Sequence, residues 1–377
     1  MFFRFLLFIF LGATLLFSGH YFLYHSLIGL FSLTKPWLKN GLFVILAILS
    51  VSFIIASIIA HNTQGPWIRF FYLLTAAWLG LAINLTLAVC LIRLLAYLLA
   101  LAKFDFNVTY LSAGFFMLAL LFSAYGLVNA FHPQIKKMDI SIKNLPAVWK
   151  GKTIVQLSDI HLGQIHGIDN LQNLAAQTNA QNPDLILITG DLFDGMDGEL
   201  NNFVKPLNSL RAKRGVFFVT GNHETYLGLD KALAVLKQTR IKILNNETVN
   251  LEGLQIVGIN YSEREEAGGR SGKLARKTNF INASKGFDRT KPGILMHHTP
   301  INLEQAKAAG IALQLSGHTH KGQLWPFGLI TRLIYGKYHY GLHAMGDFQI
   351  YTTNGAGTWG PPLRTGNTPE IPVFRLQ

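Results

Sequence analysis

Four apolar runs, each about twenty residues long, fill the first third of the chain and fix what it can be. A bilayer core of ~30 Å is crossed by about 20 apolar residues in helical form, because backbone amides there must pair within the segment. The runs are Phe5–Tyr24, Gly41–Ala60, Phe71–Ile92 and Tyr110–Phe131. Residues 1–135 hold six basic side chains (Arg4, Lys35, Lys39, Arg69, Arg93, Lys103) and one acidic side chain, Asp105. Residues 1–132 are therefore read as a membrane anchor of about four helices, and residues 133–377 as a separate domain of ordinary soluble composition.

Several details refine the anchor. The first run is too long for a cleavable leader, and three more follow it, so it is read as a span. Arg69 and Arg93 bracket the third run and are placed to snorkel to opposite interfaces. The apolar stretch Leu94–Lys103 lets that helix run on or bend. No acidic residue or charged pair within the runs suggests transport. With the N-terminus inside, the inner flanks carry Arg4, Arg69, Lys136, Lys137, Lys143 and Lys150, and the outer flanks Lys35, Lys39, Arg93 and Lys103. That asymmetry votes for a multi-pass protein of the inner (plasma) membrane with its C-terminal domain in the cytoplasm. Of the formal charge of +13, +5 falls before residue 136, leaving +8 for the soluble part. A basic domain beside a membrane suits anionic headgroups or a phosphorylated substrate. No nucleic-acid-binding module is recognisable, so no nucleic-acid partner is expected. The lone Cys90 has no partner for an internal disulfide and reads as packing.

After Pro133, short β-branched runs alternate with helical patterns. The predicted strands are Thr153–Leu157, Leu185–Thr189, Val216–Thr220, Leu254–Ile259, Ile294–Met296 and Ala312–Leu315; the predicted helices include Asp169–Ala180 and Leu229–Gln238. Continuous apolar strands between helices indicate an α/β architecture with sheets covered by helices.

Five of these strands run into Asp, Asn or His. The segments are Ser158-Asp159-Ile160-His161, Gly190-Asp191, Gly221-Asn222-His223-Glu224, His297-His298-Thr299-Pro300 and Ser316-Gly317-His318-Thr319-His320. The carboxyl edge of an α/β sheet is where ligands bind. Taken singly each segment is weak: an Asp-x-His is more often a turn, and a Gly-Asp a loop. Seven oxygen and nitrogen donors at equivalent strand ends are hard to ascribe to chance.

The order D-x-H, G-D, G-N-H-[DE], H, G-H-x-H resembles the calcineurin-like metallophosphoesterase family from about Ile140 onward. IVQLSDIHLG (Ile154–Gly163), HTHKGQ (His318–Gln323) and the closing Pro369-Glu370-Ile371 strand resemble its bacterial membrane-associated branch. The resemblance implies an αββα sandwich of two sheets and hydrolysis of phosphoester or phosphoanhydride bonds. It implies two divalent metals, one held by Asp159, His161, Asp191 and His320, the other by Asp191, Asn222, His298 and His318. Two such ions ~3.5–4 Å apart activate water and neutralise the phosphoryl group. Two carboxylates against two dications leave a formal charge of about +2, attractive to phosphate. Oxygen and nitrogen donors without thiolate suit manganese, iron or zinc. His223 matches the family's non-ligand histidine and is assigned the general-acid role. The H-x-P pattern selects His298 over His297, which packs or supports the ligands. His166 reads as a surface-loop histidine, and Asp194 and Glu224 as partners of ligand histidines or exposed carboxylates.

Two features point to the substrate. Arg270–Lys291 holds Arg270, Lys273, Arg276, Lys277, Lys285, Arg289 and Lys291 against Asp288, either a solvated loop or a clamp for a diphosphate, with Arg270, Lys273, Arg276 and Lys277 as substrate-binding candidates. Leu324–Leu342 is dense in aromatic and aliphatic residues, and is either core or an apolar rim at the membrane. Together they suit a lipid-linked phosphodiester or pyrophosphate; in the resembling branch such a substrate is UDP-2,3-diacylglucosamine, of lipid A synthesis. A soluble phosphoester, with the helices as a mere tether, is the alternative.

Overall fold

The computed structural model describes residues 2–63, 65–195, 199–262 and 278–377. Arg270, Lys273, Arg276 and Lys277 lie outside the described residues. The chain divides into two compact units, 1–128 with 360–363, and 129–359 with 364–377.

The first unit is helical: α1 Phe2–Leu30, α2 Pro36–Asn62, α3 Pro66–Leu101 and α4 Val108–Ala130. Among the described residues, α2, α3 and α4 are long and apolar enough to cross a membrane. Pro36 and Pro66 stand in the first turns of their helices, where the missing N–H costs nothing. The third helix runs on, without a break, to Leu101. The Arg93 guanidinium donates to Ser26 Oγ at 2.9 Å and covers the Phe22 ring. Two further polar pairs tie the helices, Trp78 Nε1 to His20 Nε2 at 2.9 Å and Asn84 Nδ2 to Ser123 Oγ at 2.8 Å. Such pairs give polar side chains partners within the helices.

The second unit is a two-sheet sandwich. Its strands are β1 Gln134–Ile140, β2 Thr153–Leu157, β3 Leu185–Thr189, β4 Val216–Val219, β5 Lys242–Ile243, β6 Glu247–Leu251, β7 Leu254–Ile259, β8 Gly293–His297, β9 Leu313–Ser316, β10 Gly341–Met345, β11 Phe348–Thr352 and β12 Glu370–Leu376. One sheet has the order β1-β12-β2-β3-β4-β5 and the other β10-β11-β9-β8-β7-β6. The inner strands β2-β3-β4 and β7-β8-β9 are parallel within each sheet. The helices are α5 Ile168–Asn179, α6 Val204–Leu207, α7 Asn222–Leu227, α8 Leu229–Leu236, α9 Leu303–Ala309 and α10 Gly328–Tyr335.

Alternation along the strands explains their unbroken apolar character. Ile154, Leu185, Leu187, Phe217 and Val219 face Leu254, Ile256, Ile294, Met296 and Leu313 in the layer between the sheets. Their neighbours Val155, Leu157, Ile186, Ile188 and Phe218 turn the other way, onto Leu171, Leu174 and Leu236 of α5 and α8. Val257, Ile259 and Leu295 cover the outer face of the second sheet, against Leu303 and Ala306 of α9. Strands buried on both faces have no polar face to show. The helix–sheet–sheet–helix order brings the carboxyl ends of two parallel strand sets to one edge.

Candidate metal centre

Each strand that ends in a donor residue releases its chain into a tight turn at that shared edge. Asp159, His161, Asp191, His318 and His320 have φ of 52°, 53°, 49°, 70° and 47°. Left-handed backbone at a non-glycine residue costs of order 1–3 kcal/mol and persists only where the surroundings over-determine it. Five of the seven expected metal ligands share this conformation, so the edge stores strain to aim side chains. At Gly317 the reason for glycine is space: a Cβ there would land on Asp159 Oδ2 and Ser158 Oγ. Bonds between the loops hold the turns together. Asp159 N–H donates to Gly190 O at 3.1 Å, and Gly317 N–H to His298 O at 2.8 Å.

The expected ligands converge on one buried cluster. His161 Nε2 lies 3.0 Å from His320 Nε2, which lies 3.3 Å from Asp159 Oδ1. In the adjoining group His298 Nε2 is 3.1 Å from Asn222 Oδ1 and 3.2 Å from His318 Nδ1, and His318 Nδ1 is 2.9 Å from Asn222 Oδ1. Asp191 Oδ2 reaches both groups, at 3.1 Å from His298 Nε2 and 3.9 Å from His161 Nε2. Donor atoms of Asp159, His161 and His320 lie within 4.8 Å of one another, as do those of Asp191, His298 and His318.

The donor set fits divalent cations. Ligand nitrogens at 2.0–2.1 Å from a tetrahedral zinc stand roughly 3.3 Å apart, close to the spacings here. Of two imidazole nitrogens facing at 3.0 Å, one at most can donate a proton to the other. Burial pushes His161 and His320 far below the usual histidine range, and His318 to about 3, with charged neighbours adding to the effect. They are neutral, each with one ring nitrogen free of a proton. Burial would raise Asp191, but the charge and hydrogen bond of His298 hold it well below the usual carboxylate range. Against its own burial, His298 is lifted to about 10 by Asp191. An anionic carboxylate cut off from water thus draws positive charge to its Oδ2, as a metal-bridging oxygen would. His298 donates from Nδ1 to Thr189 O at 2.8 Å, which turns Nε2 toward the centre.

The residues around the cluster have distinct duties. His223 Nδ1–H donates to Asp194 O at 2.8 Å, its backbone N–H donates to Asp191 Oδ1 at 2.9 Å, and its ring lines the cleft. Burial would lower it, but Asp191 and Asp194 raise it. Glu224 is buried and binds backbone amides, rather than a ligand histidine or solvent. Asp194 is buried, with Oδ1 3.6 Å from His161 Nδ1, and burial raises it to about 7. His166 is no surface residue: buried, it accepts at Nε2 from Thr358 N–H at 2.9 Å. His297 is buried at the end of β8 and belongs to none of the donor clusters among the described residues. Arg289 and Lys291 precede the amino end of β8, the opposite edge from the cluster.

Sequence reasoning missed Arg364. Fully buried, it donates from Nη2 to His320 Nδ1 at 3.0 Å, from Nη1 to Asn367 Oδ1 at 2.6 Å, and from Nε to Gly357 O at 3.1 Å. Asn367 Nδ2 donates in turn to His320 O at 2.8 Å. The one available signal was a cation in the Gly- and Pro-rich stretch just before Pro369-Glu370-Ile371.

The cleft above the cluster has a volume of 430 Å³ and is lined by Asp191, Asn222, His223, His318 and His320 together with Phe327, Ile330, Ile334, Tyr335 and Trp359.

Residues 152–322 match the calcineurin-like phosphoesterase family. An uncharacterized metallophosphoesterase of Helicobacter pylori is 35% identical over 271 residues, covering 71% of this chain and 70% of its own. One of Aquifex aeolicus is 30% identical over 263 residues, 69% of this chain and 98% of its own. The zebrafish (Danio rerio) transmembrane protein with metallophosphoesterase domain is 32% identical over 273 residues, 68% of this chain and 61% of its own. The chain belongs to the calcineurin-like metallophosphoesterase family. Family and clustered histidines and aspartates together indicate a dinuclear metal site.

Proposed function

We propose that this protein hydrolyses a phosphodiester or pyrophosphate bond of a lipid-linked substrate at a two-metal centre. The observation that carries the hydrolytic reading is the position of Asp191 Oδ2, within reach of both His161 Nε2 and His298 Nε2. Asp159, His161, Asp191 and His320 would hold one ion, and Asp191, Asn222, His298 and His318 the other. When bound, the ions supply a nucleophile at neutral pH and neutralise the phosphoryl oxygens. Manganese, iron and zinc all suit the donors.

The chain's own residues do the rest. The carbonyl of Asp194 fixes His223 through Nδ1 and leaves Nε2 to serve the cleft. Nearby carboxylates raise the histidine, so it carries a proton for the departing oxygen. The apolar lining residues Phe327, Ile330 and Ile334 support an amphiphilic substrate, of which UDP-2,3-diacylglucosamine is one, and helices apolar enough to cross a membrane in the same chain support the same reading. The positive-inside vote favours the inner membrane, with the catalytic domain in the cytoplasm.

The test is a turnover screen on full-length protein in detergent, reconstituted separately with manganese, iron and zinc. Bis(p-nitrophenyl) phosphate and UDP-2,3-diacylglucosamine are the two reporters. Turnover of the diester alone would move the assignment to soluble phosphoesters. Turnover of neither with any metal would sink hydrolysis.

A further inference from the structure

Helix α10 is exposed on almost every side. Leu333 is 86% exposed, Leu329 68%, Ile334 67% and Ile330 55%, and no residue of the helix is buried. Scattered surface leucines need no explanation, but four large aliphatics on two turns form a contiguous patch, and such patches mark interaction sites. Leu329 and Leu333 share one face at i, i+4, while Ile330 and Ile334, one position on, line the metal cleft. Tyr335, at the end of the helix, sets its ring edge-on to His318 at 6.1 Å. The helix therefore shows one apolar face to the reaction centre and an adjoining apolar face outward.

Charge selects what covers the outward face. From Gly317 to Gly346 there is no Asp or Glu, while Lys321, Arg332 and Lys337 are all basic. Basic residues beside exposed aliphatics, with Trp325 half-exposed just before the helix, have the composition of a segment lying in the headgroup layer of an anionic bilayer. Helices apolar enough to cross a bilayer belong to the same chain.

We propose that α10 docks into an anionic lipid surface through Leu329 and Leu333, so that the cleft opens onto the lipid layer through Ile330 and Ile334. This deepens the lipid-linked reading above and rests on it for the nature of the substrate, which would be a phosphate ester whose apolar chain stays in the leaflet. The docking itself is measured without turnover.

The experiment uses full-length protein in nanodiscs of phosphatidylcholine and phosphatidylglycerol. In a Cys90→Ala background, Leu333→Cys and, separately, the exposed Lys213→Cys carry the environment-sensitive dye NBD. Docking predicts blue-shifted emission at position 333, mostly lost when a lipid spin-labelled near its headgroup is added, and little loss at 213. Equal quenching at the two positions overturns the proposal. A blue shift without lipid quenching, or one that grows with protein concentration, assigns the face to a protein partner or a second copy and also overturns it. Should Cys90→Ala not fold, a photoreactive amino acid placed at position 333 reads the same contact by crosslinking to lipid, and crosslinks to protein alone count against it.

Discussion

Glu224 holds Asp191 in place through the backbone rather than through its side chain. Its Oε2 accepts from the N–H of Asp191 at 3.0 Å and of Gly221 at 2.7 Å, and its Oε1 from Leu192 at 2.8 Å and Phe193 at 3.1 Å. One buried carboxylate thus ties the turn after β3 to the start of α7, the two segments that present Asp191 and Asn222. Burial, reinforced by the charge of Asp191, raises Glu224 to about 7, and four N–H donors are what make an ionised group tolerable there.

Replacing that carboxylate tests the arrangement. In Glu224→Gln one acceptor oxygen becomes an N–H₂ group facing backbone donors, leaving buried N–H groups unpaired. We expect a loss of about 2–4 kcal/mol, since bonds to charged groups contribute about 1.5–3 kcal/mol each. Metal occupancy should fall with it. Thermal unfolding in detergent and metal analysis are the measurements, and a glutamine variant as stable and as metal-loaded as the parent would refute the role.

His223 should separate chemistry from metal binding. Its backbone N–H, not its ring, bonds Asp191, so His223→Ala keeps that contact. Turnover should drop about 10²–10⁴-fold, the usual contribution of a general acid, with both metals retained by elemental analysis. Near-parental turnover would remove the histidine from the acid role.

The strand-end donors were legible because two constraints act on the same residues. Buried parallel strands demand unbroken apolar runs, and the turn after each admits a polar residue only where it has work to do. Thr153–Leu157 and Leu254–Ile259 appear at their predicted bounds. The edge strands β1, β5, β6 and β10 were missed, and so was β11, which lies between β10 and β9. The edge strands are short or half-exposed, so neither continuous apolarity nor clean alternation marks them. Glu224 read equally as a partner of a ligand histidine or as an exposed carboxylate, because its actual partners are backbone amides, which leave no trace in the sequence. Arg364 was invisible for a related reason: its partner is forty-four residues upstream, and no periodicity links them.

Close approach at Gly317 gives a third test. The added methyl of Gly317→Ala meets Asp159 Oδ2 and Ser158 Oγ, and neither can retreat while Asp159 accepts from His318 N–H at 2.9 Å. Overpacking of this kind costs about 1–3 kcal/mol. Because the strain falls on Asp159 and on the loop that carries His318, proposed ligands of different ions, metal titration should show weakened binding even where the fold survives. Unchanged affinity would mean the loop has room that the geometry denies.

Arg364 supplies the last prediction. A buried arginine beside a metal-binding histidine is unexpected, because such imidazoles usually donate their second N–H to a carboxylate or carbonyl. Here Nδ1 of His320 accepts from the guanidinium, so the neutral ring keeps its proton on Nε2 and would release it as a metal binds there, the guanidinium stabilising the more basic ring that results; the same guanidinium is fixed by Asn367 and Gly357. The cation also offsets the carboxylate of Asp159, which burial pushes up to about 6. Its role is positional: it sets the angle of the His320 ring and keeps a counter-charge near Asp159. Arg364→Met removes both while filling much of the same volume. Metal affinity should fall about 10–100-fold, as for other residues that orient a ligand. Arg364→Lys keeps the charge without the planar fork and should recover only part of the loss. Calorimetric titration of metal-free protein, with a thermal melt of each variant, reads this directly. A folded Arg364→Met variant that bound metal as tightly as the parent would show that His320 needs no such anchor.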